Sequence, residues 1–173
     1  MLLSEGSQVG SLPKLRRIIL EVTSTLMVVK EKDHPGRRGV TDGQIYQQLV
    51  GWPEVNQTER IRIGRATYEP GTYEQLHWHP IEACYYVISG HAIVRNIEGE
   101  EFEVDAGSII YAPAGIAGAH EWEVKESLEL LDIRATIETD KKIQYTVDKK
   151  THRSYVDLED LAYRDAISFK SHY

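Results

Sequence analysis

The sequence predicts an all-β fold, an antiparallel barrel or jelly-roll sandwich. Three observations carry this. Short apolar or alternating runs recur from residue 59 to the segment KIQYTV at 142–147. Glycine or proline separates them, at Pro70–Gly71, Gly90, Glu98–Gly99 and Pro113–Gly115. Many short strands with turn residues between them are the pattern of sandwiches and barrels.

The elements follow in order. Residues 1–12 are polar and rich in Gly and Ser, a loose terminus. The apolar run in 13–30 suits strand or helix, with strand favoured at its valine-rich end. KEKDHPGRRG (30–39) is a charged loop punctuated by Pro35, Gly36 and Gly39. ERIRIGRATYEPG then alternates, with Ile61 and Ile63 on one face and Arg60 and Arg62 on the other, and Pro70–Gly71 closes it in a turn. ACYYVIS (83–89) is an apolar strand that stops at Gly90 and resumes as HAIVRNI. Glu98–Gly99 reads as a hairpin tip. EEFEVDAG, SIIYAPAG, SLELLDIRATI and KIQYTV supply the remaining strands. From Tyr155, Val156, Leu158, Leu161 and Ala162 recur at helical spacing, which predicts a short C-terminal helix. The expected organisation is an N-terminal extension over 1–58, a barrel over 59–150 and a tail over 151–173.

Composition narrows the function classes. The 173 residues suit one domain with a real core. Acidic residues outnumber basic ones 27 to 20, for a net charge of −7. Nucleic-acid binding normally needs a basic patch, so no nucleic-acid partner is expected. The one cysteine, Cys84, excludes an intramolecular disulfide. The apolar run 18–29 is interrupted by Glu21, Thr23, Ser24 and Thr25 and is too short to span a bilayer. A cytoplasmic protein with no membrane partner is the expectation.

The chemistry concentrates in GTYEQLHWHPIEACYYVISG (71–90). His77 and His79 are two apart, so in a strand they share a face, about 6.6 Å apart along the chain. Two imidazoles on one face can converge on a single ion at roughly 2.0–2.2 Å. His120 follows a second Gly/Pro-rich stretch, DAGSIIYAPAGIAGAH, and is the third candidate ligand.

These residues resemble the cupin superfamily. Gly71, His77, His79 and Gly90 fit its first motif, G-x5-H-x-H-x3,4-E-x6-G. Gly107, Pro113 and Gly115 fit its second, G-x5-P-x-G-x2-H, with the histidine two residues late at His120. An insertion of two preserves strand parity. The resemblance implies a cupin antiparallel β-barrel, a jelly roll or double-stranded β-helix, over roughly residues 60–135. It also implies a divalent metal held by His77, His79 and His120. At the position of the family's glutamate stands Ala83, with Glu82 one residue earlier. A one-residue step reverses the face, so Glu82 is a ligand only where a bulge re-aims it.

The three-histidine set is similar to that of cupin dioxygenases. It implies an Fe(II)-dependent dioxygenase acting with O2 on a small chelating substrate such as a diketone or hydroxyketone. The alternatives are an isomerase, lyase or polyketide-type cyclase using Zn, Mn or Ni as a Lewis acid, and a small-molecule-binding cupin without catalysis. Glu82 and Tyr85 are the candidate catalytic groups, Tyr85 sharing the histidines' parity. Tyr73 lies near the motif, and Arg60 or Arg62 could clamp a substrate carboxylate bidentately. Trp78 and Cys84, of opposite parity, are expected to pack. Apolar outer faces in such barrels predict a homodimer.

Overall fold

In the computed structural model, residues 26–52, 56, 58–136, 144–156 and 168–170 are described. Thirteen strands among them form two antiparallel sheets. Strands β1 (Arg37–Arg38), β2 (Gln44–Val50) and β3 (Ile61–Tyr68) are followed by β4 (Tyr73–Trp78), β5 (Ala83–Ser89) and β6 (His91–Asn96). Next come β7 (Glu101–Asp105), β8 (Ile109–Ala112), β9 (His120–Val124) and β10 (Leu128–Ala135). The last are β11 (Tyr145–Asp148), β12 (Arg153–Val156) and β13 (Ser168–Lys170). One sheet runs β1-β2-β3-β10-β5-β8, the other β13-β12-β11-β4-β9-β6-β7. The order is the expected jelly roll: chain neighbours such as β3 and β4 lie in different sheets.

The two inner faces meet over one core, in which Val87, Ala92, Val124, Leu128, Leu130 and Trp122 are at most 2% exposed. Burying an aliphatic or aromatic side chain of this size contributes roughly 1.5–3 kcal/mol, so this layer dominates the stability. A smaller cluster of Leu76, Trp78, Ala119 and Val147 packs on the opposite face of the second sheet. There Trp78 stacks on Tyr145 at 4.4 Å and donates to Ser154 Oγ at 3.0 Å.

Two glycines are required by close approach. Gly90 has φ 90°, and a Cβ there would meet the Ser127 carbonyl oxygen at 2.0 Å. A Cβ on Gly64 would meet the Tyr46 hydroxyl at 2.0 Å. The bare backbone at 64 lets Tyr46 reach Asp132 in the interior, with Oη donating to Oδ2 at 3.0 Å.

Several expectations need correction. The tail from Tyr155 is not helical where it is described: Arg153–Val156 and Ser168–Lys170 are strands that pair with one another. The rest of the expected helix, 157–167, lies outside the described residues. Of the apolar run in 13–30, residues 26–30 are neither helix nor strand, and the remainder lies outside the described residues. The loop over 30–39 holds a 3-10 turn at Glu31–Asp33 and the short β1. β3 alternates as read, but the face that turns inward carries Arg62, Gly64, Ala66 and Tyr68, while Ile61 is 46% exposed. Cys84 is half-buried on the outer side of β5 rather than in the core. Among the described residues no helix is long and apolar enough to cross a membrane.

Candidate metal centre

His77 and His120 are directly opposed across the β4–β9 pair, and His79 follows at the end of β4. All three point inward and are 2%, 4% and 2% exposed respectively. One ring nitrogen from each lies within 4.8 Å of the other two. The 3-10 turn at Ile116–Gly118 takes up the extra residues before His120, so its ring still faces the barrel.

The backbone orients two of these rings. His77 Nδ1 donates to the Gln75 carbonyl at 2.7 Å, and His120 Nδ1 donates to the Gly118 carbonyl at 2.7 Å. A carbonyl only accepts, so in each neutral ring the proton sits on Nδ1 and Nε2 keeps its lone pair. Backbone carbonyls behind histidines are the usual support for metal ligands. His120 Nε2 is buried with no hydrogen-bond partner among the described residues, a costly arrangement that a cation would relieve. Burial lowers the His77 pKa to about 4. Burial and the neighbouring His77 lower that of His120 to about 3. Both rings are therefore neutral, and ready to ligate, near pH 7. The donor set fits a divalent ion.

His79 is held differently. Its Nε2 lies 3.1 Å from the Tyr85 hydroxyl, and its Nδ1 lies 3.3 Å from Arg134 Nη1. A guanidinium only donates, so this contact makes Nδ1 the acceptor and places the ring proton on Nε2. His79 would become a ligand by shifting that proton to Nδ1, or through Nδ1 itself, and either route releases the Arg134 contact. Metal uptake here is thus coupled to Tyr85 and Arg134.

Of the other expected site residues, the structure brings in Tyr85 and Arg62. Tyr85 is buried, with its hydroxyl beside His79, and burial raises its pKa so that the hydroxyl stays protonated. Arg62 faces inward, 8% exposed, with its guanidinium 4.9 Å from the Trp52 ring centroid. Three residues fall elsewhere. Arg60 is exposed ahead of β3. Glu82 is exposed and accepts a bond from the Tyr111 hydroxyl at 2.7 Å on the outer side; no bulge re-aims it, and the next residue, Ala83, faces inward at 1% exposure. Tyr73 is 47% exposed and donates to Glu121 at 2.8 Å.

Tyr73, expected at the site because it lies near the motif, faces outward, and the cause also reveals a missed residue. Between Glu74 and His77 the β4–β9 register shifts: Glu74 pairs Trp122 and His77 pairs His120. That is three steps along β4 against two along β9, a bulge of one extra residue. It turns Tyr73 outward and Glu74 inward. The Glu74 carboxylate is 5% exposed, with Oε1 3.7 Å from His77 Nε2. It accepts from the Tyr68 hydroxyl at 3.3 Å and from Gln144 Nε2 at 3.4 Å. Burial raises its pKa. Arg134 and Asp132, joined by an Nε–Oδ1 bond of 2.6 Å, complete the polar wall. Burial opposes the Arg134 charge, but Asp132, Tyr85 and Tyr46 outweigh it and hold the group protonated.

The family profile for the cupin domain matches residues 64–134. No curated protein matches the chain. Solved structures share the fold. The polyketide cyclase RemF from Streptomyces resistomycificus aligns with TM-score 0.55 and 17% identity, over 66% of this chain and 89% of that one. KdgF from Halomonas sp. gives 0.56 and 19%, over 67% and 98%. The DMSP lyase DddQ from Ruegeria pomeroyi gives 0.54 and 14%, over 64% and 59%. Residues 64–134 thus match a cupin domain, and the two-sheet jelly roll is the fold of these neighbours.

Proposed function

We propose that the chain is a metal-dependent cupin enzyme that moves a proton on a small, chelating organic substrate, as a lyase, isomerase or cyclase does. One observation carries the reading: three buried imidazoles converge beside two further titratable groups, Glu74 and Tyr85. His77, His79 and His120 would hold a divalent ion, with Zn, Mn, Ni or Fe all compatible with imidazole ligands. When bound, the ion supplies Lewis acidity toward a carbonyl or enolate oxygen. Tyr85, protonated by virtue of its burial, donates a hydrogen bond to substrate oxygen. Glu74 receives or returns the proton. The barrel interior excludes water from both. Proteins of this fold that are named as a cyclase and a lyase support a non-oxidative reaction by fold analogy.

The second reading is an Fe(II) dioxygenase using O2. It is favoured by Ala83, which leaves no carboxylate at the family's glutamate position, so that three neutral imidazoles keep the ion's full charge. Turnover of a diketone, hydroxyketone and hydroxy-acid panel is to be measured with zinc under nitrogen and with Fe(II) in air. Turnover without oxygen supports the first reading. Turnover only with iron and measurable O2 uptake supports the second, and no turnover in either condition contradicts both.

For the assembly we propose a homodimer in the cytoplasm, paired through the outer face of the β1–β8 sheet. Ile61, Tyr86, Ile88, Ile109 and Tyr111 are exposed there, an apolar surface of the kind that marks an interface.

A further inference from the structure

β4 and β11 are neighbours in the second sheet, yet among the described residues they pair only at Trp78 with Tyr145 and His77 with Thr146. Beyond that point they diverge: β4 extends back to Tyr73 and β11 on to Asp148 with no further pair between them. The bulge between Glu74 and His77 lies at this split. The sheet therefore opens into a groove of about 600 Å³, lined among others by Tyr73, Gln75, Leu76, Val147, Lys150 and Tyr155. Sites for small organic molecules run from roughly 300 to 1,000 Å³, so the groove has the size of one.

Its lining decides what it takes. Leu76 and Val147, buried members of the outer cluster, form an apolar floor. Tyr73 and Tyr155 supply two aromatic rings, and Gln75 an exposed amide. The charges at the rim are balanced. Lys149 Nζ pairs with Glu121 at 2.5 Å. Asp148 accepts from the Lys150 N–H at 2.8 Å and is held below the usual carboxylate range, first by that bond and also by the Lys150 charge. An ion entering the groove would lose hydration without meeting an unanswered countercharge, whereas a neutral ring gains contact with the tyrosines and the floor.

The groove also reaches the histidine cluster through the backbone. Gln75 lines it, and the Gln75 carbonyl accepts the 2.7 Å bond from His77 Nδ1. Thr146 lines it as well and is the cross-strand partner of His77.

We infer that the groove between β4 and β11 is a second small-molecule site, outside the histidine cluster, which takes an uncharged, ring-bearing molecule and acts on His77 through Gln75 and Thr146. Binding in the groove stands by itself; its effect on metal affinity rests on the metal reading proposed above. Binding free energies are reciprocal, so a molecule that changes zinc affinity is itself held differently by the zinc-loaded protein.

The test is NMR titration of the ¹⁵N-labelled full chain, metal-free, with benzamide and with benzoate, an anion of nearly the same shape. Zinc is then titrated with and without benzamide. Benzamide is expected to move the backbone amide signals of Gln75, Leu76, Val147 and Lys150 and the ring signals of His77, and to bind more tightly than benzoate. Tyr155→Ala removes one ring and is expected to weaken benzamide roughly tenfold with zinc content unchanged. If that variant does not fold, Gln75→Ala, at an exposed position, is expected to weaken it several-fold. Saturating benzamide is expected to change zinc affinity by about fivefold or more. No shifts in the groove, benzoate bound as tightly as benzamide, or equal affinity in wild type and variant overturns the site. Groove binding that moves neither the His77 ring signals nor zinc affinity overturns the link to His77. Groove binding with His77 shifts in a chain that takes up no zinc would uphold the site and sink the metal reading. Zinc uptake with no groove binding would do the reverse.

Discussion

His77 and His120 face one another across a single strand pair, and each is fixed from behind by a backbone carbonyl two residues earlier in the chain. Their ring centroids are 4.4 Å apart. Neither ring can turn without losing its 2.7 Å bond, so both Nε2 atoms are committed to the interior. The arrangement is pre-organised for a cation rather than assembled by one.

The first prediction concerns those rings. His77→Ala and His120→Ala should each lower bound metal from about one ion per chain to under a tenth, because two imidazoles hold a divalent ion far more weakly than three. Elemental analysis after gel filtration reads this directly. Undiminished metal in either variant would contradict the assignment.

Glu74 and Glu82 should separate cleanly. Glu74→Gln keeps the shape and removes the proton-accepting group, so turnover should fall by about a hundredfold or more with metal retained. Glu82→Gln, on the outer side, should change turnover by less than about twofold. The reverse pattern would restore Glu82 to the site.

Tyr73 is a surface residue with one hydrogen bond to Glu121. Tyr73→Phe should cost about 1 kcal/mol of stability or less and leave substrate affinity unchanged. A marked rise in KM would show that the substrate reaches the outer face.

Metal-free protein should lose stability as pH falls from about 6.5 toward 4. Burial depresses the folded-state pKa of His77 to about 4 and of His120 to about 3. In that window the unfolded chain binds protons on both imidazoles and the folded chain does not, so acid favours unfolding. Glu74 works in the opposite sense, since its raised pKa favours the folded state as pH falls. Two imidazoles outweigh one carboxyl. Denaturation midpoints recorded from pH 7.5 to 4.5 should decline for the wild type and decline less for His120→Gln. A flat wild-type profile would contradict the neutral, buried state of the rings.

The architecture and the three histidines were legible in the sequence because both rest on period-two patterning framed by turn residues. Glu82 could be placed by the same rule: no bulge intervenes, so it faces out and Ala83 faces in. The rule fails where the period fails. One extra residue between Glu74 and His77 exchanges Tyr73 for Glu74 in the interior, and nothing in EQLHW announces a bulge. Arg134 and Asp132 were hidden for another reason. They interrupt an apolar strand, SLELLDIRATI, where charged residues read as an outer face, yet their mutual bond lets both be buried. The start of the tail pairs along the open edge of β11 at Arg153–Val156, where helical spacing over two residues carries no weight, and residues 157–167 of the expected helix lie outside the described residues.

Metal binding by this protein requires three imidazoles to meet at one cation. A crystal structure of zinc-loaded protein, with anomalous scattering recorded at the zinc edge, measures it most directly. One anomalous peak is expected inside the barrel, roughly 2.0–2.2 Å from a ring nitrogen of each of His77, His79 and His120. A peak on surface carboxylates such as Glu82, or no peak between these rings, would contradict it.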